Sequence, residues 1–116
     1  MEISERLVGD ITVIDIKGQI TLGKNAELLR DKVNSLLHQG HRKLLLNLAG
    51  VDYLDSAGLG EIVATYATVR RQGGALKLLS LTSRIQDLLS ITKLLTVFET
   101  FDSEPDAIRS FTTVHV

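Results

Sequence analysis

The chain of 116 residues contains no cysteine, no tryptophan and a single proline. Without cysteine it can form neither a disulfide framework nor a thiolate metal site, so any chemistry must use oxygen or imidazole groups. No run of apolar residues is longer than three, as at residues 44–46, whereas a transmembrane helix needs about 20. The chain begins Met-Glu-Ile-Ser-Glu, without the basic start of a signal peptide, so we expect a cytoplasmic protein.

Neither sign of charge dominates the composition. Thirteen Lys and Arg residues stand against fourteen Asp and Glu residues, for a net charge of -1. The basic stripe that would neutralise many phosphates is therefore missing, and nucleic acid is not expected as a partner. With 44% hydrophobic and 23% charged residues, the composition is that of a folded chain. We expect one domain spanning residues 1–116, with residues 112–116 as a loose tail.

The first half of the chain predicts a hairpin, a helix and a central strand. Residues 3–8 and 11–16 read as strands around the turn dipeptide Gly9-Asp10. From residue 25 to 39, apolar side chains recur at steps of three and four, which predicts an amphipathic helix. Residues 43–48 are almost continuously leucine, as expected for a strand buried on both faces at the centre of a sheet.

The second half alternates helices with strands. An apolar face between Leu59 and Val69 predicts a helix, and residues 75–79 and 97–101 read as strands. A capping box beginning at Ser83 and the acidic, proline-containing segment 103–106 predict two further helices. Helical crossovers imply parallel strand pairs. The predicted class is α/β, a mixed and mostly parallel sheet of about five strands with about four α-helices.

One segment breaks the local rules, residues 52–61 between the central strand and the second helix. Gly58 and Gly60 would lie in the first turns of that helix, where each costs roughly 0.5–1 kcal/mol relative to alanine. Close approach by another molecule would explain both glycines. Ser56 is the predicted N-cap, with its hydroxyl accepting from the Gly58 or Leu59 N–H. It is either a plain cap or a phosphoacceptor whose phosphate would lie on the positive end of the helix dipole.

The sequence Asp55-Ser56-Ala57-Gly58-Leu59-Gly60 resembles the phosphorylation-site motif of STAS domains in the branch of bacterial anti-sigma factor antagonists. Gly18-Gln19-Ile20, at the end of the second strand, and the order of elements are also similar. The resemblance spans nearly the whole chain and implies a STAS-like single domain. It departs from the family at Gly18-Gln19-Ile20-Thr21, where many relatives carry a Gly-Glu-aliphatic-Asp sequence and this chain has no carboxylate.

What the resemblance implies is partner switching. The unmodified antagonist binds an anti-sigma factor that is also a serine kinase, which frees a sigma factor, and phosphorylation of Ser56 ends the binding. The chain would then be a ligand and a substrate, with no enzyme activity and no cofactor of its own. The kinase would bring Mg²⁺ and ATP, and a serine phosphatase would be a further partner.

The implied partner surface surrounds Ser56. It consists of residues of the motif, the loop that follows the second predicted strand, and one residue that follows the fourth predicted strand. Its members are Asp55, Ala57, Gly58, Leu59, Gly60, Thr21, Leu22, Gly23, Lys24 and Leu81. Large apolar groups under a loop are core residues by default. Tyr53 and Leu54 are therefore predicted to be buried.

Two other classes of function stay open on the sequence. One is a STAS scaffold or transporter-associated module that binds partners without being phosphorylated. The other is a nucleotide-binding domain or small enzyme, although Val63 replaces the third glycine of GxGxxG and no GxxxxGK loop occurs. No catalytic site is predicted, because none of His38, His41 and His115 is placed to activate Ser56. His38 and His41 could share a metal, but two surface histidines around a helix-ending glycine are more often solvated, so no metal site is predicted.

Overall fold

The computed structural model describes residues 1–112. Of the predicted tail, only Thr112 lies within this part of the chain, where it ends the last helix, and residues 113–116 lie outside the described residues. The elements in chain order are β1 Glu2–Val8, β2 Ile11–Ile20, α1 Lys24–His38, β3 Lys43–Leu54, α2 Ser56–Arg71, β4 Ala75–Leu79, α3 Ser83–Ile91, β5 Thr100–Phe101 and α4 Glu104–Thr112.

The five strands form one sheet in the order β1-β2-β3-β4-β5. β1 and β2 are antiparallel, as the predicted hairpin requires, and every other neighbouring pair is parallel. The leucine-rich strand β3 occupies the centre, and Leu44, Leu45 and Leu46 are all fully buried. The predicted fold class, a mixed and mostly parallel sheet with four helices, is confirmed.

The sheet carries helices on both faces. One apolar cluster joins β2, β3 and β4 to α1, α2 and α3, and it contains Leu29, Val33, Leu36 and Leu37 of α1. A second cluster packs Ala107 of α4 against Ile11, Val13, Leu45 and Leu79 on the other face. Beside α4, Arg6 of β1 bonds Asp15 at 2.8 Å and also Glu104, and it holds the pKa of both carboxyls below the usual range.

The strands next to the predicted site are longer than their sequence indicates. β2 and β3 stay paired up to Ile20 opposite Leu54, whereas β4 stops opposite Asn47. They therefore leave the sheet as a two-stranded ribbon. The pairing register of β2 with β3 shifts twice, between Asp15 and Lys17 and between Gly18 and Gln19. The period-2 alternation that identifies a strand is therefore interrupted there.

Two predictions in the second half of the chain are wrong in detail. The strand predicted at 97–101 is reduced to Thr100–Phe101, because the preceding residues form turns that bury Phe98 in the core. The N-cap of α3 is Thr82 and not Ser83, since the Thr82 hydroxyl accepts from the Ile85 N–H at 3.3 Å. Ser83 is thus the exposed first residue of its helix.

Candidate functional site

The end of the β2–β3 ribbon brings two loops together. β3 ends at Leu54 and α2 begins two residues later, while the chain leaving β2 at Ile20 turns into α1. The backbone N–H of Asp55, between β3 and α2, donates to the Ile20 carbonyl at 3.3 Å. The start of α2 and the loop of residues 21–24 therefore lie side by side, as the sequence predicts.

Asp55, not Ser56, caps helix α2. Its backbone is extended, and its Oδ1 accepts from the Gly58 N–H at 2.7 Å. The predicted Ser56 cap is wrong because aspartate is an equally favoured N-cap and stands one residue earlier. Ser56 is the first residue of the helix, exposed, and no residue among 1–112 hydrogen-bonds its hydroxyl. The serine oxygen is therefore available to an incoming group.

The second oxygen of Asp55 holds the neighbouring loop. Its Oδ2 accepts from the Leu22 N–H at 3.0 Å, and this bond and the one from Gly58 lower the pKa of the Asp55 carboxyl. The lowered pKa means that the ionised carboxylate stabilises the folded site. One side chain thus caps the helix and fixes the loop that carries Leu22, which is 79% exposed.

We expect Asp55→Ala to lower the midpoint of thermal unfolding by a few degrees at pH 7, because it removes the cap and the loop contact. The folded-state pKa lies below the unfolded one, so this stabilisation is present above the unfolded value of about 4 and is lost as the pH falls through the folded value. Thermal unfolding followed from pH 7 to acid is the measurement, and the difference from the parent should shrink on acidification.

The matched control for Asp55→Ala is Asp52→Ala. Asp52 is an exposed carboxylate three residues earlier, and no described residue bonds to it. Its removal should leave the midpoint almost unchanged. Equal losses from the two substitutions, or a loss at Asp55 that persists unchanged in acid, would contradict the assigned role.

The two glycines of the motif differ in the space that their surroundings leave for a side chain. A Cβ on Gly58 would lie 2.0 Å from the Ile20 carbonyl oxygen and 2.9 Å from Leu54 Cδ1, so the protein's own β2 strand excludes a side chain. This corrects the expectation that another molecule explains this glycine. A Cβ on Gly60 would meet nothing within 4 Å, and Gly60 is exposed. The fold itself does not require a glycine there.

The predicted partner residues differ in how much of their surface is exposed. Leu22, Gly23, Lys24 and Gly60 are exposed like Ser56, whereas Thr21, Asp55, Ala57 and Leu81 are half-buried. Gly58 is buried and Leu59 is 7% exposed within the core, so these two offer little surface. The surface that surrounds Ser56 is therefore formed by the loop after β2 and the outer side of the first turns of α2.

Tyr53 is not a core residue, contrary to the prediction, whereas the predicted burial of Leu54 is confirmed. Tyr53 is 41% exposed and Leu54 5%, because the two alternate across the ribbon. The guanidinium of Arg84, on α3, lies 5.8 Å from the centre of the Tyr53 ring. The sequence offers no signal for this contact, since 31 residues separate the two side chains.

Comparison with known proteins identifies the family. The family model of the STAS domain matches residues 2–107. The chain belongs to the STAS domain family. The domain is 42% identical over 81 residues to the anti-sigma-B factor antagonist of Bacillus subtilis strain 168, which covers 70% of this chain and 72% of that protein.

Solved structures agree with this family. The STAS domain superposes on the crystal structure of a candidate anti-sigma factor antagonist from Thermotoga maritima with a TM-score of 0.88 and 25% identity, covering 96% of this chain and 95% of that one. It also matches the fold of the Bacillus cell fate determinant SpoIIAA in its phosphorylated form, with a TM-score of 0.75 at 19% identity over 95% of this chain and 99% of that one.

Other kinds of site gain no support from the described part of the STAS domain. Across residues 1–112, no group of three or more His, Cys, Asp or Glu side chains could hold a metal ion. The Nδ1 atom of His41 lies 3.2 Å from the hydroxyl oxygen of Thr12. Within the same residues, no helix has both the length and the apolar character needed to cross a membrane.

Proposed function

We propose that this STAS domain is an anti-sigma factor antagonist controlled by phosphorylation of Ser56. In its unmodified form it binds an anti-sigma factor that is also a serine kinase, and a sigma factor is thereby released. The observation that carries the proposal is the exposed Ser56 hydroxyl, left without an intramolecular partner in residues 1–112 because Asp55 caps the helix. A relative that is 42% identical over 81 residues is named an anti-sigma-B factor antagonist, which supports the proposed role as an antagonist.

The chemical step belongs to the partner. The γ-phosphoryl group of ATP passes to Ser56 Oγ as its bond to ADP breaks, and the serine proton goes to a base of the kinase. Mg²⁺ and the catalytic groups come from the kinase, and a serine phosphatase restores the free hydroxyl. The STAS domain acts in the cytoplasm by binding and being modified, and it catalyses no reaction itself.

The switch follows from charge at the start of α2. A phosphate adds about −1.5 to −2 charges beside the ionised Asp55 and the exposed Asp52. In a close interface that charge must be desolvated or paired, which opposes binding. The helix itself tolerates the phosphate, since its dipole favours an anion at an exposed N-terminus by roughly 0.3–1 kcal/mol. Binding is lost without refolding.

Incubation of the purified protein with ATP and serine kinases from its own organism, followed by intact-mass and site-mapping spectrometry, tests this proposal. We expect one phosphate, on Ser56, and none on Ser56→Ala. Ser83→Ala is the matched control, because Ser83 is also the exposed first residue of a helix. Phosphate retained by Ser56→Ala, or lost from Ser83→Ala, would overturn the assignment of Ser56.

A further inference from the structure

The side chain of Asp55 links the two loops at the proposed phosphorylation site. Its Oδ2 accepts from the Leu22 N–H, in the loop after β2, at 3.0 Å, and its Oδ1 accepts from the Gly58 N–H of α2 at 2.7 Å. The bond from Leu22, followed by the bond from Gly58, lowers the pKa of this carboxyl, because both bonds favour its ionised form. The loop that carries Leu22 is therefore tied to the residue that precedes Ser56.

The residues on either side of Leu22 are tied to α1 instead of α2. The carbonyls of Thr21 and Gly23 accept from backbone N–H groups in the first turn of α1, at 3.1 and 3.0 Å. Gly23 is the N-cap of α1, has a φ of 96° and gives this helix no side-chain cap. Since these bonds hold only its neighbours, the position of Leu22 relative to α2 depends on its own bond to the Asp55 carboxylate.

The Leu22 side chain takes no part in the core of the domain. It is 79% exposed, and neither apolar cluster of residues 1–112 includes it. A single exposed leucine is ordinary, but this one belongs to a loop that is held by the carboxylate next to the exposed Ser56. A side chain on an ordered loop loses less conformational entropy when a partner covers it. Leu22 is therefore suited to be an apolar contact for the partner that binds at Ser56.

We propose that Asp55 is a positioning residue for binding of the anti-sigma factor, an inference that rests on the proposed function. It holds the loop of residues 21–24 so that Leu22 meets an apolar part of the partner, in the same contact that covers Ser56. The half-buried Asp55 acts through Leu22 and not by touching the partner itself. Without the carboxylate, the loop would have to be ordered during binding, and the affinity would fall.

The first test needs no partner and uses Asp55→Asn. Asparagine keeps one oxygen for the Gly58 N–H and is an equally favoured N-cap, but its NH2 group cannot accept from the Leu22 N–H. We expect amide hydrogen exchange at Leu22 to become about fivefold faster or more. Asp52→Asn is the control, because it removes an exposed carboxylate nearby, and it should leave this rate unchanged. Equal exchange at Leu22 in the two variants would overturn the inference.

The second test is a double-mutant cycle on affinity in the Ser56→Ala background, where phosphorylation cannot intervene. The probe is the purified anti-sigma factor that phosphorylates Ser56. We expect Leu22→Ser to weaken binding by about tenfold or more and Asp55→Asn by about fivefold. Once Leu22→Ser is present, Asp55→Asn should weaken binding less than about twofold further, because its effect passes through Leu22. Asp52→Asn should change affinity less than about twofold in either background.

The outcomes separate this inference from the proposed function. If Asp55→Asn weakened binding as much with Leu22→Ser as without it, the carboxylate would contact the partner directly. Unchanged affinity of Leu22→Ser would remove Leu22 from the contact, and equal losses from Asp55→Asn and Asp52→Asn would assign the effect to net charge. Each of these results overturns the positioning role and leaves control by Ser56 standing. If the parent bound no anti-sigma factor, the proposed function would fall, and this inference with it.

Discussion

Gly58→Ala is expected to lower the free energy of unfolding by about 2 kcal/mol or more, a drop of roughly 10 °C in the midpoint of thermal unfolding. The new Cβ would lie 2.0 Å from the Ile20 carbonyl oxygen and 2.8 Å from its carbon. Backbone atoms cannot rotate away as the end of a side chain can, so the end of β2 must move. The helix preference of alanine recovers at most about 1 kcal/mol of this cost.

Gly60→Ala is the matched control for Gly58→Ala, two residues further along α2. A Cβ there meets nothing within 4 Å, so the same change should leave the stability unchanged or raise it by up to about 1 kcal/mol. Thermal and denaturant unfolding of the two variants measure the contrast. Equal stabilities would contradict the close packing of α2 against β2. Weaker anti-sigma factor binding by Gly60→Ala alone would support a partner contact at that glycine.

The second large effect concerns affinity rather than stability. Ser56→Ala should bind the anti-sigma factor within about twofold of the parent, whereas Ser56→Asp should bind about tenfold or more weakly, a difference of about 1.4 kcal/mol. The reason is that a carboxylate at residue 56 would join the ionised Asp55 in the proposed interface, where the added charge would lose its contact with water. Isothermal titration with the purified partner gives both dissociation constants.

Ser83→Asp is the charge-matched control for Ser56→Asp. Both serines are the exposed first residues of capped helices, so the new carboxylate meets the same end of a helix dipole in each. The unfolding midpoints of the two variants should stay near that of the parent. If Ser56→Ala and Ser56→Asp bound a verified partner equally well, the electrostatic switch would be wrong.

Period and composition predict the fold of this STAS domain well where one face of an element is buried. The helix α1 shows this, since the apolar residues that define its period are those that pack into the core. The β2–β3 ribbon could not be predicted because its buried residues, Ile20, Val51 and Leu54, do not alternate with exposed residues at a period of two. Asp52 and Tyr53 are exposed within it, so the sequence there reads as a loop.

The motif predicts where the site lies, but not the role of each residue in it. Asp55 and Ser56 are both good caps by residue type, and only the backbone shows that Asp55 takes the position. Gly58 and Gly60 look alike in sequence, yet the Ile20 carbonyl excludes a Cβ at Gly58, whereas a Cβ at Gly60 would meet nothing within 4 Å. Contacts between distant segments, such as Arg84 with Tyr53, have no local signal.

Phosphorylation of Ser56 is proposed to abolish partner binding through local charge. The most direct measurement compares the stoichiometrically phosphorylated protein with the unmodified one, by affinity for the anti-sigma factor and by amide chemical shifts. We predict that affinity falls by at least about tenfold while shift changes stay within residues 21–24 and the start of α2. Unchanged affinity, or shift changes throughout the sheet, would contradict this account.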